Sequence, residues 1–223
     1  MVELIIICEG QTEERFVTDV LAPALAPTAI YASARMIPTS PNSRGGSLNY
    51  DRVKRALRNT LLERVDTFVT TFFDLYALGS TFGGFADTRG RAPTERASAI
   101  ERWLHEEIVA YAKCRPERFL PHVQPHEFEA LLFSDVESLC QVEPEWASHT
   151  ETLARVRDGV DDPEWINDSP HTAPSKRLNV LSPRYRKRQH GPVAAATIGL
   201  DKIREQCPHF RRWYERILGL RPI

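Results

Sequence analysis

The chain has 223 residues, 42% of them hydrophobic and 26% charged, with a formal net charge of −1. These values belong to an ordinary folded protein and exclude a disordered, collagen-like or coiled-coil chain; at about 150 residues per domain, the length suits one domain with additions. The small net charge conceals an asymmetry, since residues 173–223 hold 12 Lys and Arg against 3 Asp and Glu, while residues 1–172 hold 17 against 27. Such an acidic body can hold divalent cations and such a basic quarter a polyanion, unless the two merely neutralise each other.

Residues 3–8 form a β-branched run without alternation, the pattern of a parallel strand covered on both faces. The run is too short for a secretory segment, lacks basic residues before it and is ended by Glu9. Thr12 then reads as the N-cap of a helix ending near Leu21, with Glu13 and Glu14 favouring its first turn through the dipole. A second strand covers Ala29 to Ile37, and the Pro-, Ser- and Gly-rich residues 38–47 form a loop. A helix near Tyr50–Glu63 places Val53, Leu57 and Leu61 on one face. The run from Thr67 to Phe73 is a third strand ending at Asp74. Strand, helix, strand, helix, strand implies right-handed βαβ units and an α/β, Rossmann-like, mostly parallel sheet flanked by helices.

Pro93 opens a helix to about Ala112, residues 119–123 form a fourth strand, and residues 126–133 read as a short helix. Beyond Asp135 the pattern is helical: a helix over residues 144–158, a polar connection through Asp168–Pro170, and an amphipathic region over 199–218. The chain thus divides into a core at 1–140 and a helical, basic C-terminal extension at 141–223 packed on the same domain. Cys8, Cys114, Cys140 and Cys207 lack C-x-x-C spacing, which points to free thiols in a reducing cytoplasm and away from a structural zinc site. No stretch approaches the roughly 20 apolar residues of a membrane helix, so no membrane role is expected.

In open α/β sheets, ligands bind beyond the carboxyl ends of the strands, where Glu9 and Asp74 stand. If the first and third strands are neighbours, these carboxylates converge, as hard-oxygen sites for Mg²⁺ or Mn²⁺ require. Glu13 then supplies a third ligand or a general base. The alternatives are ordinary ones: Glu13 and Glu14 stabilising a helix start, and Asp74 capping a turn.

The Glu9-Gly-Gln-Thr-Glu13 block after the first strand and Phe73-Asp74 after the third resemble the TOPRIM fold of topoisomerases, primases and OLD-type nucleases. Further blocks at Phe72–Tyr76, His126–Phe133, Thr172–Arg177 and Cys207–Phe210 extend the resemblance over nearly the whole chain. Together they resemble a TOPRIM-like family of unknown function, domain of unknown function 4276, related to the effector nuclease of the PARIS anti-phage system. That resemblance implies a metal-dependent nuclease, an RNase acting on tRNA among its forms, restrained by an ATPase partner and released on infection.

TOPRIM enzymes usually carry Asp-x-Asp after the third strand, whereas Tyr76 occupies the second position here. Glu129, and after it Glu127, are the nearest replacements; the alternative is an amphipathic helix whose acids are solvated. In the basic quarter, Lys176 suits a phosphate contact or a transition-state cation. Arg177, Arg184, Arg186, Lys187 and Arg188 suit contacts to a nucleic-acid backbone, with Tyr185 as a stacking ring; a solvated charged face is the plainer reading. His209 reads as structural. A short basic groove on one 25.4 kDa subunit favours a homodimer. Two functions stay open: a Mg²⁺- or Mn²⁺-dependent endonuclease, or a catalytically inactive TOPRIM-like regulatory or partner-binding protein. Tyrosine-dependent nicking through Tyr76 is a third, weaker option.

Overall fold

Three parallel strands carry the molecule: β1 (Val2–Cys8), β2 (Ile30–Met36) and β3 (Thr67–Asp74). A computed structural model describes residues 1–37, 48–85, 88, 90–166 and 172–223. The loop expected over 38–47 and the connection through Asp168–Pro170 lie outside those residues. β1 pairs with β2 from Val2↔Ile30 to Cys8↔Met36, and with β3 from Glu3↔Thr67 to Cys8↔Phe72. Two short strands, β4 (Phe119–Leu120) and β5 (Val123–Gln124), extend the far side of β3 in parallel, giving the order β2-β1-β3-β4. The expected single strand over 119–123 is broken where Pro121, lacking an N–H, cannot join a ladder. Thr71 bridges the gap, its Oγ1 accepting from His122 N and donating to His122 O, each at 2.8 Å.

All eight residues of β3 are buried, because the sheet is covered on both faces. On one face, α3 (Tyr50–Glu63) and α4 (Pro93–Ala112) lay Val53, Leu57, Leu61, Ile100, Leu104 and Ile108 over Ile7, Val69 and Phe73. On the other, Phe16, Phe72, Phe128, Phe210 and Trp213 form a continuous aromatic cluster beneath the C-terminal helices. Each fully buried Phe or Leu contributes about 1.5–3 kcal/mol.

The helix after β1 starts at Gln11 with Gly10 at the cap, so Thr12 lies inside it, buried. This α1 (Gln11–Phe16) widens into a π turn at Val17–Leu21 and runs on into α2 (Ala22–Leu25). It therefore passes Pro23, and the π turn stands just ahead of the residue that cannot donate to the preceding turn. Beyond β5 come a 3₁₀ segment at Phe128–Ser134, then α5 (Val136–Cys140), α6 (Pro144–Ala147) and α7 (Thr150–Asp158). The expected helix over 144–158 is thus two, interrupted at Ser148 and His149. The chain ends in α8 (Pro174–Leu181), α9 (Lys187–Ile198), α10 (Leu200–Gln206) and α11 (Pro208–Leu218). Pro208 separates α10 from α11 within the expected amphipathic region. All four cysteines are free thiols, and among the described residues no helix is long and apolar enough to cross a membrane.

Candidate metal centre

The strand order turns at β1, with β2 on one side and β3 on the other, so a crevice opens between the carboxyl ends of β1 and β3. Glu9 follows β1 and Asp74 closes β3. The Asp74 N–H donates to Glu9 Oε2 at 3.3 Å, and the Phe128 N–H donates to Asp74 Oδ1 at 2.9 Å. Glu13 lies within the first turns of α1 and folds back toward Gly10. A Cβ at position 10 would sit 3.2 Å from Glu13 Oε2, tighter than side chains normally tolerate.

The segment after β5 is less regular than its sequence suggests. His126 is left-handed at φ 59°, Glu127 is extended, and the 3₁₀ segment starts only at Phe128. Helical spacing would have turned Glu127 away from Glu129; the observed backbone brings both to one cation. Lys187 Nζ donates to Glu127 Oε2 at 3.1 Å and to Glu129 Oε2 at 2.9 Å. Each carboxylate has a further partner. Ser175 donates its N–H and hydroxyl to Glu127 at 2.6 and 3.0 Å, and the Tyr185 hydroxyl donates to Glu129 Oε1 at 3.0 Å.

Lys187 reaches this position because α9 crosses close to α1. A Cβ at Gly191 would lie 3.1 Å from the Phe128 ring and 3.3 Å from the Thr12 methyl, so glycine sets the approach. Arg15 Nη1 donates to the Arg188 carbonyl at 3.1 Å and ties the same helices at their rim. The basic quarter thus delivers one ammonium into a nest of acids from the core.

Glu9, Glu13, Asp74, Glu127 and Glu129 outnumber that ammonium, and the electrostatics follow. Burial, reinforced by Glu13, pushes Glu9 up to about 8 despite the Asp74 N–H and Lys187. Glu129 is pushed up to about 7, again by burial first, with Lys187 opposing and Glu127 and Glu13 reinforcing. Burial likewise raises Asp74, with Glu13 and Glu9 adding to the effect, and it raises Glu13. Burial alone would lower Lys187, but Glu129, Glu127 and Asp74 reverse the sign and raise it. Near neutral pH the cluster therefore shares protons that a bound divalent cation would displace.

The structure brings together the five sequence-predicted carboxylates and Lys187, which the sequence placed among the backbone-contacting residues. Lys176 is exposed on α8, and its ammonium makes no ion pair among the described residues. Arg177 Nε donates to the Thr172 carbonyl at 2.7 Å, and Arg186 donates to the carbonyls of Pro183 and Tyr185. Arg184 lies exposed, 3.7 Å from Glu145, and Arg188 is also exposed. Tyr185 is buried against Trp146 and Glu129, where it offers no ring for stacking on a base. Tyr76 is 64% exposed, and its N–H donates to the His126 carbonyl. Sequence reasoning missed the roles of Ser175 and Tyr185, although Ser175 lies within the Thr172–Arg177 block already singled out.

A family model described as Domain of unknown function (DUF4276) matches residues 8–218. Among solved structures, the C-terminal region of the Burkholderia pseudomallei OLD protein is similar at 18% identity, covering 97% of this chain and 97% of that one, with a TM-score of 0.44. No curated protein matches the chain.

Proposed function

The chain belongs to the DUF4276 family, and on that premise we propose that it is a TOPRIM-like endonuclease that uses Mg²⁺ or Mn²⁺ to cleave nucleic acid phosphodiesters. The observation that carries this reading is the convergence of Glu9, Glu13, Asp74, Glu127 and Glu129 from three stretches of chain around one ammonium. Carboxylate oxygens in that number suit a hard divalent ion. Glu9, Asp74 and Glu13 are its ligands, and Glu129, then Glu127, stand in for the Asp that Tyr76 replaces. A bound ion supplies neutralisation of the phosphodiester and a lowered pKa for a ligated water.

The protein's own groups supply the rest. Glu13 is the general base that would accept the proton of the attacking water. Lys187 is placed to meet the charge that develops on phosphorus, the role first expected of Lys176. Lys176, Arg177, Arg184, Arg186 and Arg188 follow the substrate backbone. Within this reading the substrate is RNA or DNA, tRNA being the first to test, and the protein is a cytoplasmic homodimer serving as a phage-defence effector restrained by an ATPase partner encoded nearby.

A second reading, the inactive regulator, draws on two observations: exposed Tyr76 in place of a carboxylate, and Lys187 already neutralising part of the cluster. Incubating the chain with mixed tRNA and plasmid DNA, with and without Mn²⁺, separates the two. Cleavage that requires Mn²⁺ and is lost in Glu9→Gln supports the nuclease; no cleavage, or cleavage indifferent to both, leaves the regulator.

A further inference from the structure

A second buried polar cluster uses none of the residues above. Glu101 on α4, His122 between β4 and β5, and His209 on α11 each offer one ligand atom, and these atoms lie within 4.8 Å of one another. His209 Nε2 is 2.8 Å, and His122 Nδ1 3.5 Å, from Glu101 Oε1. Around a tetrahedral ion with bonds of about 2.0–2.1 Å, ligand atoms stand about 3.3 Å apart.

The hydrogen bonds around the cluster show what it lacks. Gln124 Nε2 donates to the Glu164 carboxylate at 3.1 Å, which turns its Oε1 toward His122 Nε2 at 3.3 Å. A neutral ring carries one proton for the two oxygens it faces, Gln124 Oε1 at Nε2 and Glu101 Oε1 at Nδ1. His122 is 1% exposed, where a second proton on the ring is costly to hold. Glu101 Oε1, which also accepts from the Val123 N–H at 2.8 Å, thus competes with Gln124 Oε1 for one ring proton, and a cation at Nδ1 leaves that proton to Gln124.

We propose that Glu101, His122 and His209 form a site for a borderline-soft divalent transition metal, Zn²⁺ first among them, distinct from the carboxylate centre. Two imidazoles with one carboxylate suit such an ion better than Mg²⁺. Gln124 is the outer partner that fixes the His122 tautomer. His209 must shift its proton from Nε2 to Nδ1, which Arg212 Nη2 contacts at 2.9 Å; Arg212 is exposed and free to leave. Glu101 also lines a cleft of about 300 Å³ with Arg102, His105, Glu106 and Arg216, which brings the carboxylate side of the cluster to the surface. Once bound, the ion clamps α11 to α4 and to the segment beside β3. None of this depends on the nuclease reading.

The test uses the full chain, stripped with chelator and titrated with Zn²⁺ by calorimetry and with Co²⁺ by visible absorption. Wild type binds one equivalent of Zn²⁺ that survives in a Glu9→Gln/Asp74→Asn double variant. His209→Asn weakens that binding by about 10–100-fold or more and abolishes the Co²⁺ bands of a low-coordinate site, while melting curves show the variant folded. Arg212→Ala, a surface change that leaves the fold intact, tightens binding severalfold by freeing Nδ1. The site is overturned if wild type binds no Zn²⁺, if binding disappears in the double variant, or if His209→Asn binds as wild type does.

Discussion

Two buried clusters flank β3 and put the same chemical group under opposite pressure. In the crevice, Glu9 and Glu129 face other carboxylates, and burial with like charge lifts them to about 8 and about 7. Around α4, burial pushes Glu101 the same way, but hydrogen bonds from His122 and His209 overcome it and hold the carboxyl at about 2. Desolvation is common to both; the sign is decided by what faces the oxygen. One cluster has surplus negative charge, and the other has charge and partners nearly matched. On this comparison, crevice carboxylates are kept at a cost to stability, whereas Glu101 contributes to it.

The largest effect separates function from stability. Glu9→Gln should cut Mn²⁺-dependent cleavage by at least about 100-fold, the upper end of what losing an outer-shell metal partner costs. In chelator at pH 8 the same substitution should raise the melting temperature by a few degrees, about 1–2 kcal/mol. A variant that loses both activity and stability would break the contrast. Next comes Lys187→Ala, which leaves Glu127 and Glu129 without their cation. It should destabilise by about 2 kcal/mol, below the roughly 3–5 of a fully buried pair because Lys187 is 40% exposed. Denaturant titrations should show the loss to be larger at pH 8 than at pH 5.

Glu101→Gln should cost about 1–2 kcal/mol at pH 7, opposite in sign to Glu9→Gln. The pH profiles sharpen the point. Because Glu9 and Glu129 bind protons more tightly folded than unfolded, their contribution is full below their ordinary 4.5 and is lost as pH rises toward about 8. Glu101 runs the other way: its contribution is present above 4.5 and is lost as pH falls toward about 2. Melting curves in chelator from pH 3 to pH 9 should resolve both limbs, and Mn²⁺ should flatten only the alkaline one. The smallest effect is expected at the rim, where Arg188→Ala should lower the salt dependence of nucleic-acid binding by about one unit of slope without moving the melting temperature.

The strands and their terminal acids were legible because an unbroken apolar run ending in a carboxylate has few other physical meanings. Positions 9, 13 and 74 follow from that pattern and from the parallel pairing it implies. Glu127 shares a cation with Glu129 only because the helical period breaks at His126, and nothing local announces the left-handed turn there. Lys187 was hidden in a run of cations, Arg184 to Arg188. Its neighbours point outward, and only the close crossing at Gly191 singles it out. The Glu101, His122 and His209 cluster joins residues far apart in the chain, with no short motif to mark them.

Trp213 on α11 donates its indole N–H to Thr70 of β3 across 143 residues of sequence, and its ring stacks on His122. The central strand is therefore closed on that face by a segment that leaves the ribosome long after it. Until then its apolar side stays open to chaperones or to other nascent chains, and the acids at its tip lack a rigid support. A message cut short before α11 should yield an aggregation-prone product in place of a smaller folded protein.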